Sequence, residues 1–204
     1  MSRRFQGWPL VGSAALVLTL MIVGLLVQKG LDVEGARIVI RATARTSAVL
    51  FCAAFAASSL VTLRRGPTST WLLRNRRFLG MSFGVSHTYH YLAVAAFAVL
   101  DPEQFFAAQG DAGPEKLAPI LLLVLMMATS FDRTAAMLGR RAWKAVHLVG
   151  TYFFWFAFFV SFAGRALDSA FYSGWTALLV LTMAIRLAAL ATRFKQSRAG
   201  SVAT

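Results

Sequence analysis

Long uncharged apolar runs separated by shorter charged connections organise this chain. They extend from Phe5 to Gln28, Thr46 to Leu63, Phe78 to Leu100, Leu117 to Phe131, Ala145 to Gly164, and Ser169 to Ile185, the last continuing past Arg186 to Thr192. A helix rising about 1.5 Å per residue needs about 20 apolar residues to cross a hydrocarbon core of about 30 Å. The pattern predicts an all-α integral membrane bundle of six transmembrane helices, near residues 8–28, 42–63, 78–100, 115–131, 144–164 and 169–192, forming a single domain over 1–204. The fourth run, fifteen residues long, is short enough for a tilted or re-entrant segment. The longest polar connection, Asp101 to Lys116 with Pro102, Gly110, Gly113 and Pro114, reads as an external loop.

The charges orient these helices. One side receives Arg3, Arg4, Arg64, Arg65, Arg74, Arg76, Arg77, Arg133, Arg140, Arg141, Lys144, Arg193, Lys195 and Arg198, fourteen basic residues against the single acid Asp132. The other receives six basic residues, Lys29, Arg37, Arg41, Arg45, Lys116 and Arg165, with seven acids, Asp32, Glu34, Asp101, Glu103, Asp111, Glu115 and Asp168. Basic residues gather in cytoplasmic loops, so both termini are expected in the cytoplasm. Arg186 is the one charged residue that an apolar run continues past, and there it either snorkels or finds a buried partner.

Composition agrees with this reading. A chain with 58% hydrophobic and 14% charged residues is unlike a soluble domain, about a quarter of which is charged. The net charge of +13 would point to nucleic acid in a soluble protein, but here topology accounts for it and no nucleic-acid partner is needed. Cys52 is the single cysteine, reads as a small packed hydrophobe, and excludes an intrachain disulfide framework. The first apolar run exceeds the 7–15 residues of a signal-peptide core and reads as a retained helix. No soluble domain is expected, and no glycine-rich fingerprint follows a strand pattern, so NAD, FAD and ATP are not expected to bind in the usual way. The setting expected is the inner membrane of a bacterium.

Ionisable groups inside spans are functional candidates because they are costly there. All three histidines fall in or beside spans: His87 and His90 in the third, His147 near the start of the fifth. Counted from Phe78, His87 lies roughly 13 Å and His90 roughly 18 Å into the membrane, on one side of the helix and about a turn apart. Imidazole ligates iron, copper or zinc. No carboxylate or cysteine stands at their depth to complete a zinc or copper site, whereas a haem asks only for axial ligands and an apolar slot. The alternatives are interhelical hydrogen bonds to Ser, Thr or backbone carbonyls, or another metal or a proton relay. Arg37, Arg41 and Arg45, four residues apart, form a basic stripe that either receives carboxylates such as haem propionates or snorkels to headgroups.

The segments RRFLGMSFGVSHTYHY, from Arg76 to Tyr91, and ATSFDRTAAMLGRRAWKAVHLVGTYFFWFAFF, from Ala128 to Phe159, resemble the ferric reductase-like transmembrane domain. Within it the similarity is nearest to the haem-binding membrane subunits of methionine-sulfoxide-reducing systems. The resemblance implies electron transfer through b-type haems held by histidines of the third and fifth spans. Carried over by position, His90 matches the third-span ligand near the outer haem and His147 the fifth-span ligand near the inner one. The second histidine of each helix is missing: Arg76 stands fourteen residues before His90 and Val160 thirteen after His147. Arg76 is therefore counted with Arg41 and Arg45 among cofactor-side residues rather than as an iron ligand.

Three readings follow. His87 and His147 hold a single haem b; or His90 and His147 each hold one with a single protein ligand; or the fold persists without haem. The first is favoured, giving a subunit that carries electrons from quinol or a flavoprotein partner to an external acceptor. The competing class is a non-catalytic six-helix membrane protein, an assembly factor, anchor or small transporter.

Overall fold

The structure is a computed structural model that describes residues 6–109 and 117–202. The expectations placed on Arg3, Arg4, Gly110, Asp111, Gly113, Pro114, Glu115 and Lys116 lie outside the described residues. Eight α-helices and no strands occur among the described residues: α1 Trp8–Lys29, α2 Val33–Leu63, α3 Pro67–Leu100, α4 Pro102–Gln109, α5 Ala118–Ala128, α6 Asp132–Leu138, α7 Arg140–Ala163 and α8 Ala170–Val202. Five of them, α1, α2, α3, α7 and α8, are long and apolar enough to cross a membrane, and the α5–α6 pair brings the number to six if it forms one span. The chain is an integral membrane protein. α1 shows why: it buries Val11 and Leu18 and exposes Leu16, Val17, Leu20, Val23 and Val27, a surface suited to lipid.

The helices outrun the uncharged runs that predicted them. Asp32 starts α2 by accepting the Gly35 N–H at 2.9 Å, so Arg37, Arg41 and Arg45 ride on the helix rather than before it. Gly35 itself cannot carry a side chain, because a Cβ there would overlap the Gly30 carbonyl where the chain turns from α1 into α2. α3 begins at Pro67, eleven residues before the predicted span, since Arg74, Arg76 and Arg77 end an apolar run without ending a helix. The connection read as a loop after Leu100 contains α4: Pro102 opens it and Asp101 accepts the Gln104 N–H at 3.0 Å. An Asp-Pro pair punctuates a loop and starts a helix equally well, which is why the pattern alone misplaced it.

The fourth predicted span is the largest departure. α5 has eleven residues, about 16 Å of helix and half a hydrocarbon core, and α6 leaves it at 110°. Thr129 and Ser130 end α5 by donating to the Leu125 and Met126 carbonyls, both at 2.7 Å, which turns two polar side chains back onto the helix end.

The chain divides into two compact units. The first holds residues 1–50 and 78–150, the second 51–77 and 151–204, so α2, α3 and α7 each contribute a stretch to both. In the first unit α5 is wedged against glycines of two helices: a Cβ at Gly84 of α3 would meet Met127 at 2.7 Å, and one at Gly150 of α7 would overlap Met126. Small residues let helices approach closely where lipid gives no hydrophobic drive for association. The second unit is built on aromatics, with Phe51 against Phe55 and Phe158, and Phe162 against Phe158 and Trp175. Cys52 is buried, as the sequence implied.

Candidate cofactor site

All three histidines belong to the first unit. On α3, His87 and His90 stack face to face, ring centroids 5.0 Å apart at 16°. His87 is buried against Phe83 and Tyr91, with centroids 5.3 and 4.8 Å away. Two rings stacked face to face do not point at each other across an iron, so the two cannot take opposite faces of one haem.

His90 is fixed from α2. Its Nδ1–H donates to the Ile40 carbonyl at 3.2 Å, with the Thr43 hydroxyl at 3.4 Å as a second acceptor. Thr43 can accept because its own proton goes to the Val39 carbonyl at 2.6 Å. A proton held on Nδ1 leaves the lone pair on Nε2, the nitrogen and tautomer that a ligating histidine uses when a carbonyl orients it from behind.

Below His90 a polar seam joins the two helices. The Ser86 hydroxyl lies 2.9 Å from both Thr46 and Ser47 and donates to the Thr43 carbonyl at 3.4 Å. Thr43, Ser47 and Ser86 are fully buried. The sequence reading missed these residues, although Ser82, Ser86 and His90 recur every four positions and Thr43 and Ser47 do the same on α2. That repeat marks one polar stripe on each helix.

His147 plays another part. Its Nε2 lies 3.1 Å from the Thr129 hydroxyl, whose proton already goes to Leu125, so the imidazole is the donor. One turn earlier on α7, the Trp143 indole N–H donates to the Thr129 carbonyl at 2.9 Å, and the two rings lie 4.5 Å apart. Trp143 and His147 together grip the residue at which α5 ends. Coordination of a metal through Nε2 of His147 therefore requires this hydrogen bond to break.

The arginine stripe does not act as one group. Arg37 donates to Gln104 of α4 and lies over the Phe97 ring at 5.1 Å, while Arg41 is exposed and Arg45 half-buried on α2. Arg76 is exposed on α3 and belongs to the second unit. An apolar cleft of about 280 Å³ in the first unit is lined by residues including Leu26, Val39, Tyr89, Leu92 and Ala96, with Asp32 and no histidine. Tyr89 there shares a 2.8 Å hydrogen bond with Thr19.

Among the described residues no three His, Cys, Asp or Glu side chains converge on a point that could hold a metal ion. A haem asks less of a protein, since the porphyrin supplies four nitrogens and the chain only axial ligands. His90 meets that requirement through Nε2. No family model matches the chain, and no curated protein or solved structure matches it.

Proposed function

We propose that the chain is a haem b-binding membrane subunit that carries electrons from a quinol or a flavoprotein partner to an external acceptor. One observation carries the reading: the Ile40 carbonyl holds the proton of His90 on Nδ1 and so leaves Nε2 as the donor for iron. The haem supplies the one-electron chemistry. His90 would hold it, the seam of Ser86, Thr46 and Ser47 would keep α2 and α3 together beneath it, and Phe83 and Tyr91 would keep the surroundings apolar. The apolar cleft beside Tyr89 supports a quinol as donor, because an isoprenoid chain fits such a surface. A single haem is favoured over two, since His147 is engaged with Thr129. The test is the spectrum of protein expressed with ample haem: a Soret band and a reduced-minus-oxidised α band are expected, and their absence sinks the redox reading.

The same proposal places six spans in a bacterial inner membrane with both termini cytoplasmic. The basic α6–α7 junction, with Arg133, Arg140, Arg141 and Lys144, favours α5 with its bend as a full crossing, because that puts these four charges on the basic side. A phosphatase fused after Thr204 should be inactive, and one inserted after Asp101 active. An active carboxy-terminal fusion contradicts the even count.

The hydrogen bonds of His90 and His147 also favour a second reading, in which the histidines only brace helices of a non-catalytic membrane protein. The same spectrum separates the two.

A further inference from the structure

The cleft of about 280 Å³ in the first unit has two polar side chains in its lining, Asp32 and Tyr89, and the rest of the lining is aliphatic. The direction of the Tyr89 hydrogen bond follows from its partner. The Thr19 hydroxyl gives its proton to the Ala15 carbonyl at 2.9 Å, so in the 2.8 Å bond between the two side chains Tyr89 donates and Thr19 accepts. The Tyr89 oxygen accepts no hydrogen bond among the described residues, which leaves its lone pairs for a ligand. Asp32 is an acceptor too, and one of its oxygens takes the Gly35 N–H at 2.9 Å. Neither side chain has a proton to offer the cleft.

The two acceptors stand at different places along it. Asp32 immediately precedes α2, whereas Tyr89 lies within α3, eleven residues and roughly 17 Å of helix before its last residue, Leu100. Tyr89 also directly precedes His90, the proposed haem ligand. Asp32 is exposed, and its carboxylate is committed to the start of α2.

We infer, on the reading of this cleft as a quinol site, that it selects the reduced form of a quinone, with the ring at the Tyr89 end and one hydroxyl donating to the Tyr89 oxygen. A quinol carries two O–H donors. The quinone that it becomes on losing two electrons and two protons carries only acceptor oxygens. To receive a quinone, Tyr89 has to turn its proton away from Thr19, which makes one hydrogen bond and breaks another. A quinol adds a bond and breaks none. One net hydrogen bond therefore separates the two forms, about tenfold in affinity at the upper end of what such a bond contributes. Ile22, Leu26 and Leu92 give the ring and its isoprenoid tail an apolar wall. A site of this kind holds its ligand while reduced and releases it once oxidised.

The test titrates the full chain, purified in detergent, by isothermal calorimetry with decylubiquinol under argon and with decylubiquinone. His90→Ala is titrated beside it, so that binding is also measured without the proposed haem ligand and free of electron transfer. Quinol should bind about tenfold more tightly than quinone in both proteins. Tyr89→Phe should lower quinol affinity to the level of quinone and leave quinone affinity unchanged. Thr19→Val keeps the Tyr89 hydroxyl but frees its proton for the ligand, so quinone affinity should rise until the two forms bind within about twofold of each other. Thr19 is exposed, and both variants should unfold close to the wild-type midpoint, which separates a change of ligand choice from a change of fold. Asp32→Asn should keep the preference, and Ala96→Phe, which fills the cleft, should remove binding of both forms. A preference that survives both Tyr89→Phe and Thr19→Val overturns the proposal, as does equal binding of the two forms by the wild type or binding undiminished in Ala96→Phe. Loss of the preference in Asp32→Asn alone moves the ring to the other end and overturns the role given to Tyr89. A missing Soret band sinks the haem reading by itself, and the titrations still decide whether the cleft selects a quinol.

Discussion

Replacing His90 with alanine is expected to abolish the Soret band while leaving a folded protein. The substitution removes Nε2, the donor that the Ile40 carbonyl prepares, and the polar seam beneath it through Ser86, Thr46 and Ser47 remains to hold α2 against α3. Thr43→Val tests the preparation itself. It deletes the second acceptor for the Nδ1 proton but not the Ile40 carbonyl, so haem should stay bound with affinity lower by up to about tenfold, the low end for an outer-shell partner. His147→Ala should keep the Soret band and instead loosen the end of α5. The expected cost is about 1 kcal/mol, the scale of a side-chain hydrogen bond between membrane helices. Haem per protein, measured by pyridine haemochrome on the three variants, decides the matter. If His147→Ala empties the protein and His90→Ala does not, the assignment of the ligand is reversed.

The difference between these histidines shows what the sequence carried and what it did not. Hydropathy over twenty residues is a property of the chain alone, and so α1, α7 and most of α2, α3 and α8 were legible as apolar runs. Their true ends were not. Arg74, Arg76 and Arg77 end an apolar run but stay helical, and nothing in a polarity pattern separates the end of an apolar run from the end of a helix. The bend after Met127 and Ala128 depends on Thr129 being seized by Trp143 and His147, residues fourteen and eighteen positions away. A contact between helices is not written in either one. The same limit applied to His90: its place on the helix one turn from His87 followed from spacing, but the carbonyl that sets its tautomer belongs to Ile40, fifty residues earlier. Arg186 was visible as a misplaced charge. That its guanidinium sits over the Phe55 and Tyr152 rings emerges only from packing.

A leucine at Ser86 should be strongly damaging to the first unit, and the contrast with alanine separates its causes. Ser86→Ala deletes a hydroxyl that lies 2.9 Å from Thr46 and Ser47 and bonds the Thr43 carbonyl. Thr46 keeps its bonds to the Ala42 and Thr43 carbonyls, so the loss should be about 1 kcal/mol, within the range measured for hydrogen bonds between membrane helices. Ser86→Leu makes the same deletion and puts a methine carbon with two methyl groups in place of the hydroxyl, at a position with no exposed surface. Overpacking typically costs 1–3 kcal/mol, and stranding the buried Ser47 hydroxyl adds about 1 kcal/mol or more, so a total near 3 kcal/mol is expected. The strain has one direction of relief, which is to push α2 away from α3. That movement withdraws the Ile40 carbonyl from His90, one turn above, so haem affinity should fall although every ligand atom is still present. Unfolding in mixed micelles gives the stabilities and the Soret absorbance per protein gives the haem content. Equal stability in the two variants rules out the tight seam, whereas a large loss of stability with full haem retention detaches the seam from the site it supports.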